Sequence, residues 1–271
     1  MKGGIASERL ILRVRFERTS LMPSPLCPSV FTVSFVLGLL IGDLPMAETR
    51  RTIDYYFWLM SDWAYLGGVR FVQIAARHGV PINHIPMRMP DVYAGSGGIL
   101  LHQRSWQRQA YRIEELKRWR ARLGIHVNIE PKFFPVDIDL ASCLVIAAQQ
   151  RGLPVSGLVN ALMQATWAED RDQSDPAVLA DICQELGLNA AGLLAAAHAE
   201  SVVAEYQGNT ARALAAGVFG SPFYLFAGER FWGQDRLDML EEAIVRSASG
   251  DLGRTEAGRG RCRRRLNRAI R

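Results

Sequence analysis

The 271-residue chain predicts an α/β fold in which a small sheet is interrupted by a large all-helical insertion. Three observations predict it. Residues 53–87 read strand, helix, strand. More than a hundred residues of helical pattern follow with no convincing strand. Two short strands and a helix then close the body, so the order is β-α-β, helices, β-β-α.

Each element has a local cause. Ile53–Leu59 (Ile-Asp-Tyr-Tyr-Phe-Trp-Leu) is β-branched and aromatic, which suits a buried strand. From Asp62 to His78 apolar residues recur at helical spacing (Tyr65, Val69, Val72, Ala76), and Gly79 ends the run. Ile82–Met87 is a second strand, and a helical crossover of this length predicts a parallel pair. The stretch Pro90–Arg104 is Gly-rich and reads as a loop able to lie over a site at the sheet's edge. Ser105–Leu123 is amphipathic and closes at Gly124, and Asp139–Gln150 closes at Gly152. Asp175 and Pro176 supply an N-cap and a first-turn proline for a helix ending near Gly187. Asn189 caps the next helix, and Thr210–Ala216 stops at Gly217. Phe223–Phe226 and Arg230–Trp232 flank Ala227-Gly228-Glu229, a hairpin signal, and a last helix runs from about Gln234 to Arg246.

These elements place the folded domain at residues 50–247, with the insertion at about 100–208. Residues 1–49 form an extension outside the fold, and residues 248–271 are an Arg-rich tail whose default state is disorder. Within the extension, residues 29–42 form an apolar run preceded by basic residues. It is short for a membrane span and about right for a signal-peptide core. The favoured reading takes Met46 as the natural start, because a compact domain begins directly after it and the preceding composition differs.

The net charge of +5 belongs to the ends. Residues 1–45 carry +2, and the tail carries eight arginines against two acids, which leaves −3 for residues 46–247. A nucleic-acid partner is not expected for an acidic body, nor is a membrane. Cys27, Cys143, Cys183 and Cys262 form no CxxC and share no metal-ligand spacing with a histidine, so no metal site is expected. Cys143 and Cys183 lie in apolar helical patterns and read as buried, reduced thiols, which fits the cytoplasm.

The order of elements is that of a thioredoxin fold split by helices, and such folds place their reactive group where the first strand meets the first helix. Free N–H groups and a partial positive charge there stabilise a thiolate. Redox members carry CxxC at that point. Here it reads Met60-Ser61-Asp62-Trp63-Ala64, with Ser61 and Ala64 in place of the two cysteines, so these residues cannot form a mixed disulfide. Ser61 is either an ordinary N-cap or a hydrogen-bond donor to a thiolate brought by a cosubstrate. Gly217-Val-Phe-Gly-Ser-Pro222 leads into the third strand. In this fold that proline follows a cis peptide, exposing the main chain of Ser221 to an extended peptide. Phe231-Trp-Gly-Gln-Asp-Arg236 turns the last strand into the last helix. It offers close backbone approach at Gly233, a helix start for a carboxylate, and Asp235 for an ammonium group or simply as a cap.

Together with Asn209-Thr-Ala-Arg-Ala-Leu-Ala-Ala-Gly-Val-Phe-Gly-Ser-Pro222, Phe231-Trp-Gly-Gln-Asp-Arg-Leu-Asp238 and Gln109-Ala-Tyr-Arg-Ile-Glu-Glu-Leu-Lys-Arg-Trp119, these segments resemble the 2-hydroxychromene-2-carboxylate isomerases and kappa-class glutathione transferases. The resemblance covers about residues 53–247 and implies a DsbA-like thioredoxin fold with glutathione as cofactor. It implies that Ser61 is catalytic and contacts the glutathione sulfur, that Ser221 pairs with the cysteinyl unit, and that Trp232, Gly233, Gln234 and Asp235 hold the γ-glutamyl end. Tyr93, Gln103, Arg104 and Phe134 fall near positions that contact a small aromatic carboxylate in the resembled isomerases. Arg104 suits the carboxylate because its planar fork matches two oxygens, whereas His102 reads as surface.

The implied activity is a glutathione-dependent cis–trans isomerisation in aromatic-compound catabolism. The thiolate adds to a conjugated bond, the bond rotates, and elimination restores glutathione. A kappa-like transferase and a non-enzymatic thiol- or peptide-binding module are the alternatives, and a homodimer is compatible with all three. One departure stands out. The family's usual Ser-Pro is here Ser61-Asp62, which puts a carboxylate beside the place where a thiolate must be stabilised.

Overall fold

The structure, a computed structural model, describes residues 51–249. The expected start at Met46, the apolar run at 29–42, Cys27, Cys262 and the tail beyond Ser249 lie outside the described residues.

Four strands, β1 (Ile53–Phe57), β2 (Ile82–Pro86), β3 (Phe223–Phe226) and β4 (Glu229–Trp232), form one sheet in the order β2-β1-β3-β4. β1 and β2 are parallel, joined by helix α1 (Asp62–Arg77), with Ile53 opposite Ile82. β3 runs antiparallel to both β1 and β4, with Tyr55 opposite Tyr224. Strand alternation explains the aromatic run in β1. Ile53, Tyr55 and Phe57 enter the large core, while Tyr56 enters a smaller one with Ile85, Met87 and Phe223 on the other face. Both faces are therefore covered, as the continuous apolar run requires. Tyr55 stacks on Tyr224 at 5.3 Å and packs against Phe71 of α1 at 4.8 Å.

β1 ends two residues before the expected Leu59. The Ser61 N–H donates to the Trp58 carbonyl at 2.9 Å, and that turn lifts the chain out of the sheet to begin α1. The expected loop at Pro90–Arg104 is corrected more substantially. It holds helix α2 (Met89–Ser96) and a 3-10 turn at Leu101–Gln103. Pro90 sits in the first turn of α2, where its missing N–H has no intrahelical partner to lose, and Gly97 ends the helix in the left-handed region at φ 78°.

The insertion continues with α3 (Trp106–Leu123), α4 (Asp139–Gln150), α5 (Val155–Trp167), α6 (Pro176–Glu185), α7 (Ala190–Ala197) and α8 (Glu200–Ala215). Asp175 and Asn189 cap α6 and α7 through their side chains, as expected. α8 begins ten residues before the expected Thr210. The chain closes with a 3-10 turn at Gln234–Arg236 and helix α9 (Leu237–Ala248). No helix among the described residues is long and apolar enough to cross a membrane.

Two adjacent glycines seat α1 at close range. A Cβ on Gly67 would lie 2.7 Å from the Cβ of Gln234, and one on Gly68 would lie 2.4 Å from Asn160 Oδ1 of α5. α1 is thereby pressed against the turn before α9, bringing its N-terminus beside the end of β4.

Candidate functional site

The three segments singled out in the sequence meet at the start of α1. Ser61 is the N-cap. Its backbone is extended (φ −86°, ψ 114°), and its Oγ accepts the Ala64 N–H at 3.3 Å. The same hydroxyl donates to the Ser221 carbonyl at 3.1 Å. Ser221 Oγ in turn accepts the Trp58 N–H at 3.0 Å, and the Ser221–Pro222 peptide is cis. The Pro222 carbonyl accepts the Gly233 N–H at 3.0 Å, which ties in the third segment. Ser61 is thus both a cap and a member of a bonded chain from α1 to β3 and the end of β4.

Two cavities flank this chain. One, of about 500 Å³, is walled by Trp58, Met89, Leu100, Leu101 and Phe134, with Ser61 and Asp62 at the α1 end. The other, of about 300 Å³, lies among Trp63, Glu115, Trp119 and the segment Trp232–Arg236. Ser221 and Trp63 border both, so a ligand crossing Ser221 can reach into each.

Tyr93, Arg104 and Phe134 line the larger cavity, whereas Gln103 is exposed and contributes nothing to its wall. The cause is the 3-10 turn, in which successive residues point about 120° apart. His102, exposed as expected, also joins the cavity lining, whereas Gln103, expected to contact the substrate, does not. Arg104 is braced before any ligand arrives. Its Nε donates to the Ile99 carbonyl at 2.9 Å, and its Nη2 donates to the Tyr93 hydroxyl at 3.1 Å. Its remaining N–H groups keep the capacity to meet an anion.

In the smaller cavity, Gly233 has φ 99°, a region that side chains avoid. Gln234 is buried and its Oε1 has no hydrogen-bond partner, while Asp235 is half-exposed beside Arg236. The Trp232 ring is exposed along one side and meets Phe219 edge-on at 4.9 Å.

Asp62 is buried at the floor of the larger cavity, where its Oδ1 accepts the Trp63 N–H at 2.8 Å. Arg112 of α3 places Nη2 2.5 Å from Asp62 Oδ2, a buried ion pair. Burial pushes the Asp62 carboxyl up, opposed by Arg112, the Trp63 N–H and Arg104. Arg112 lies 5.8 Å from the centres of both the Phe134 and Trp167 rings. Sequence reasoning missed Arg112 as a site residue. α3 carries many cations, and the signal that could have selected one was the uncompensated Asp62. Trp58, Trp63, Glu115 and Trp119 were also missed as cavity walls.

Cys143 and Cys183 are free and buried; burial pushes Cys143 up to about 11 and raises Cys183, so neither is a reactive thiolate at neutral pH. Among the described residues no group of three or more His, Cys, Asp or Glu could hold a metal ion.

The family model for the DSBA-like thioredoxin domain matches residues 52–245. A 2-hydroxychromene-2-carboxylate isomerase from Sphingobium xenophagum is 26% identical over 196 residues, spanning 72% of this chain and 98% of that protein. A solved structure of 2-hydroxychromene-2-carboxylate isomerase superposes with a TM-score of 0.61 at 23% identity, covering 74% of this chain and 97% of that one. The cytosolic disulfide reductase DsbM from Pseudomonas aeruginosa, solved with GSH, gives a TM-score of 0.56 at 15% identity, over 73% of this chain and 99% of that one.

Proposed function

The chain belongs to the DSBA-like thioredoxin domain family, and on that premise we propose that it is a glutathione-dependent isomerase of 2-hydroxychromene-2-carboxylate type acids. The relatives named as such isomerases support the reaction class at modest identity. The absence of cysteine at 61 and 64 removes the disulfide chemistry of redox members. One observation carries the reading. The Ser61 hydroxyl is bonded to the Ser221 carbonyl where a cavity bearing Glu115, Gln234 and Asp235 meets a more apolar one that holds a braced arginine.

The residues fit a γ-glutamyl peptide. Gln234 Oε1 is a buried acceptor without a donor, and Asp235 adds a carboxylate for an ammonium group. Trp232, Gly233, Gln234 and Asp235 would hold that end, and the main chain of Ser221 would pair with the cysteinyl unit. Glutathione, when bound, supplies a thiolate able to add reversibly to a conjugated double bond. Ser61 has one proton, which its bond to the Ser221 carbonyl occupies. That carbonyl has a second lone pair for a peptide N–H, and a Ser61 hydroxyl turned from it toward sulfur would donate to the thiolate. Arg104 and the Tyr93 hydroxyl would hold the substrate carboxylate, and Phe134 would pack on its ring. The buried, free thiols suit the reducing cytoplasm as its location.

Calorimetric titration with glutathione tests the reading. Saturable binding weakened by Trp232→Ala is expected, and no binding at millimolar glutathione contradicts it.

A further inference from the structure

We propose that Asp62 and Arg112 form a charge-cancelling pair that sets the acidity of the thiol held over Ser61, with Arg112 as a positioning residue. The inference rests on the glutathione reading and explains the acid that follows Ser61. A carboxylate beside a thiolate raises the thiol pKa and so opposes the chemistry. Arg112 reaches across from α3 to within 2.5 Å of that carboxylate. Its side chain is 13% exposed and its guanidinium lies against Phe134 and Trp167, so its position is set by packing.

Structural need alone does not explain the pair. Buried ion pairs stabilise a fold little, and apolar replacements of similar volume are often as good. Both members line the ligand cavity directly, next to Ser61.

Other charges face the same region. His102, Arg104 and the Tyr93 hydroxyl share the larger cavity, whereas Glu115, Asp235 and Arg236 border the smaller one. Asp62 is the acid adjacent to Ser61 in the chain, and Arg112 is the cation that contacts it. Removing Asp62 therefore leaves a cation beside the sulfur, whereas removing Arg112 leaves a carboxyl that burial already pushes toward its neutral form, so its effect is the smaller of the two.

The experiment is a pH titration of the ultraviolet thiolate absorbance of bound glutathione, with S-methylglutathione as the blank. Asp62→Asn should lower the midpoint by on the order of one pH unit, and Arg112→Met should raise it by at most that amount. The double variant should return close to the unaltered protein, because both present no net charge to the sulfur. Binding with a midpoint that is unmoved or raised in Asp62→Asn, lowered in Arg112→Met, or still displaced in the double variant overturns the proposal alone. Should Arg112→Met fail to fold, Asp62→Asn decides: a lowered midpoint supports the pair, and an unmoved or raised one overturns it. No glutathione binding by the unaltered protein overturns the glutathione reading and this inference with it.

Discussion

Replacing Ser61 by alanine removes a single oxygen that has two structural bonds and one proposed chemical task. The cap to the Ala64 N–H contributes about 1 kcal/mol, and the bond to the Ser221 carbonyl about 1 kcal/mol more. For a folded domain of this size each kcal/mol lowers Tm by roughly 2–4 °C, so Ser61→Ala should melt about 4–8 °C lower. A hydrogen bond to charged sulfur contributes roughly 1.5–3 kcal/mol, which predicts a fall in turnover of about 10- to 100-fold. Glutathione affinity should fall less, since Ser221 and the Trp232–Asp235 segment remain. Thermal melts, steady-state turnover and the thiolate absorbance of bound glutathione together separate the two tasks. If the melt shifts while turnover and absorbance do not, Ser61 is only a helix cap and the chemical argument is wrong.

Further outcomes follow from particular contacts. Arg104→Met should raise KM for the acid about tenfold or more and leave glutathione affinity unchanged; an unchanged KM would show that Arg104 does not meet the carboxylate. In Gly67→Ala, the clash with Gln234 should outweigh the roughly 1 kcal/mol gain in helix propensity and weaken glutathione binding; a more stable variant with full affinity would contradict the close approach. Burial holds His84 down at about 4, with its ring 3.1 Å from Ser156 Oγ. Because the unfolded chain takes up this proton more readily, the stability His84 confers is complete above about pH 6.5 and is lost as the pH falls toward 4. Urea melts should therefore lose on the order of 2–3 kcal/mol across that window, and His84→Gln should flatten the profile.

The sheet and the three segments that meet at Ser61 were legible because each rested on local signals. The aromatic strand β1, the Asp175-Pro176 start and the residues around Ala227-Gly228 all carry their structure in a few neighbouring residues. α5 was harder to isolate because it is buried against α1, α4 and α6, and apolar residues on several sides blur the helical period. The first half of α8 was missed because it is polar, with Gly208 inside it, and packing on α2 and α4 gives it order. The cap at Ser61 and the segment around Gly233 could be placed from the chain alone. The partnership of Asp62 with Arg112 could not, since it depends on how α3 crosses the start of α1. The exchange of Gln103 for His102 at the cavity wall has the same origin, a turn whose phase the composition does not reveal.

The central claim is that the site works through glutathione, and the most direct measurement follows the isomerisation of 2-hydroxychromene-2-carboxylate by the purified protein. The protein is first freed of thiols, and the rate is then recorded as glutathione is added. The account predicts negligible turnover without glutathione, a saturable rise with it, and no rescue by S-methylglutathione, whose sulfur cannot ionise. Turnover at the full rate in the absence of glutathione, or none at any concentration of it, would contradict the account.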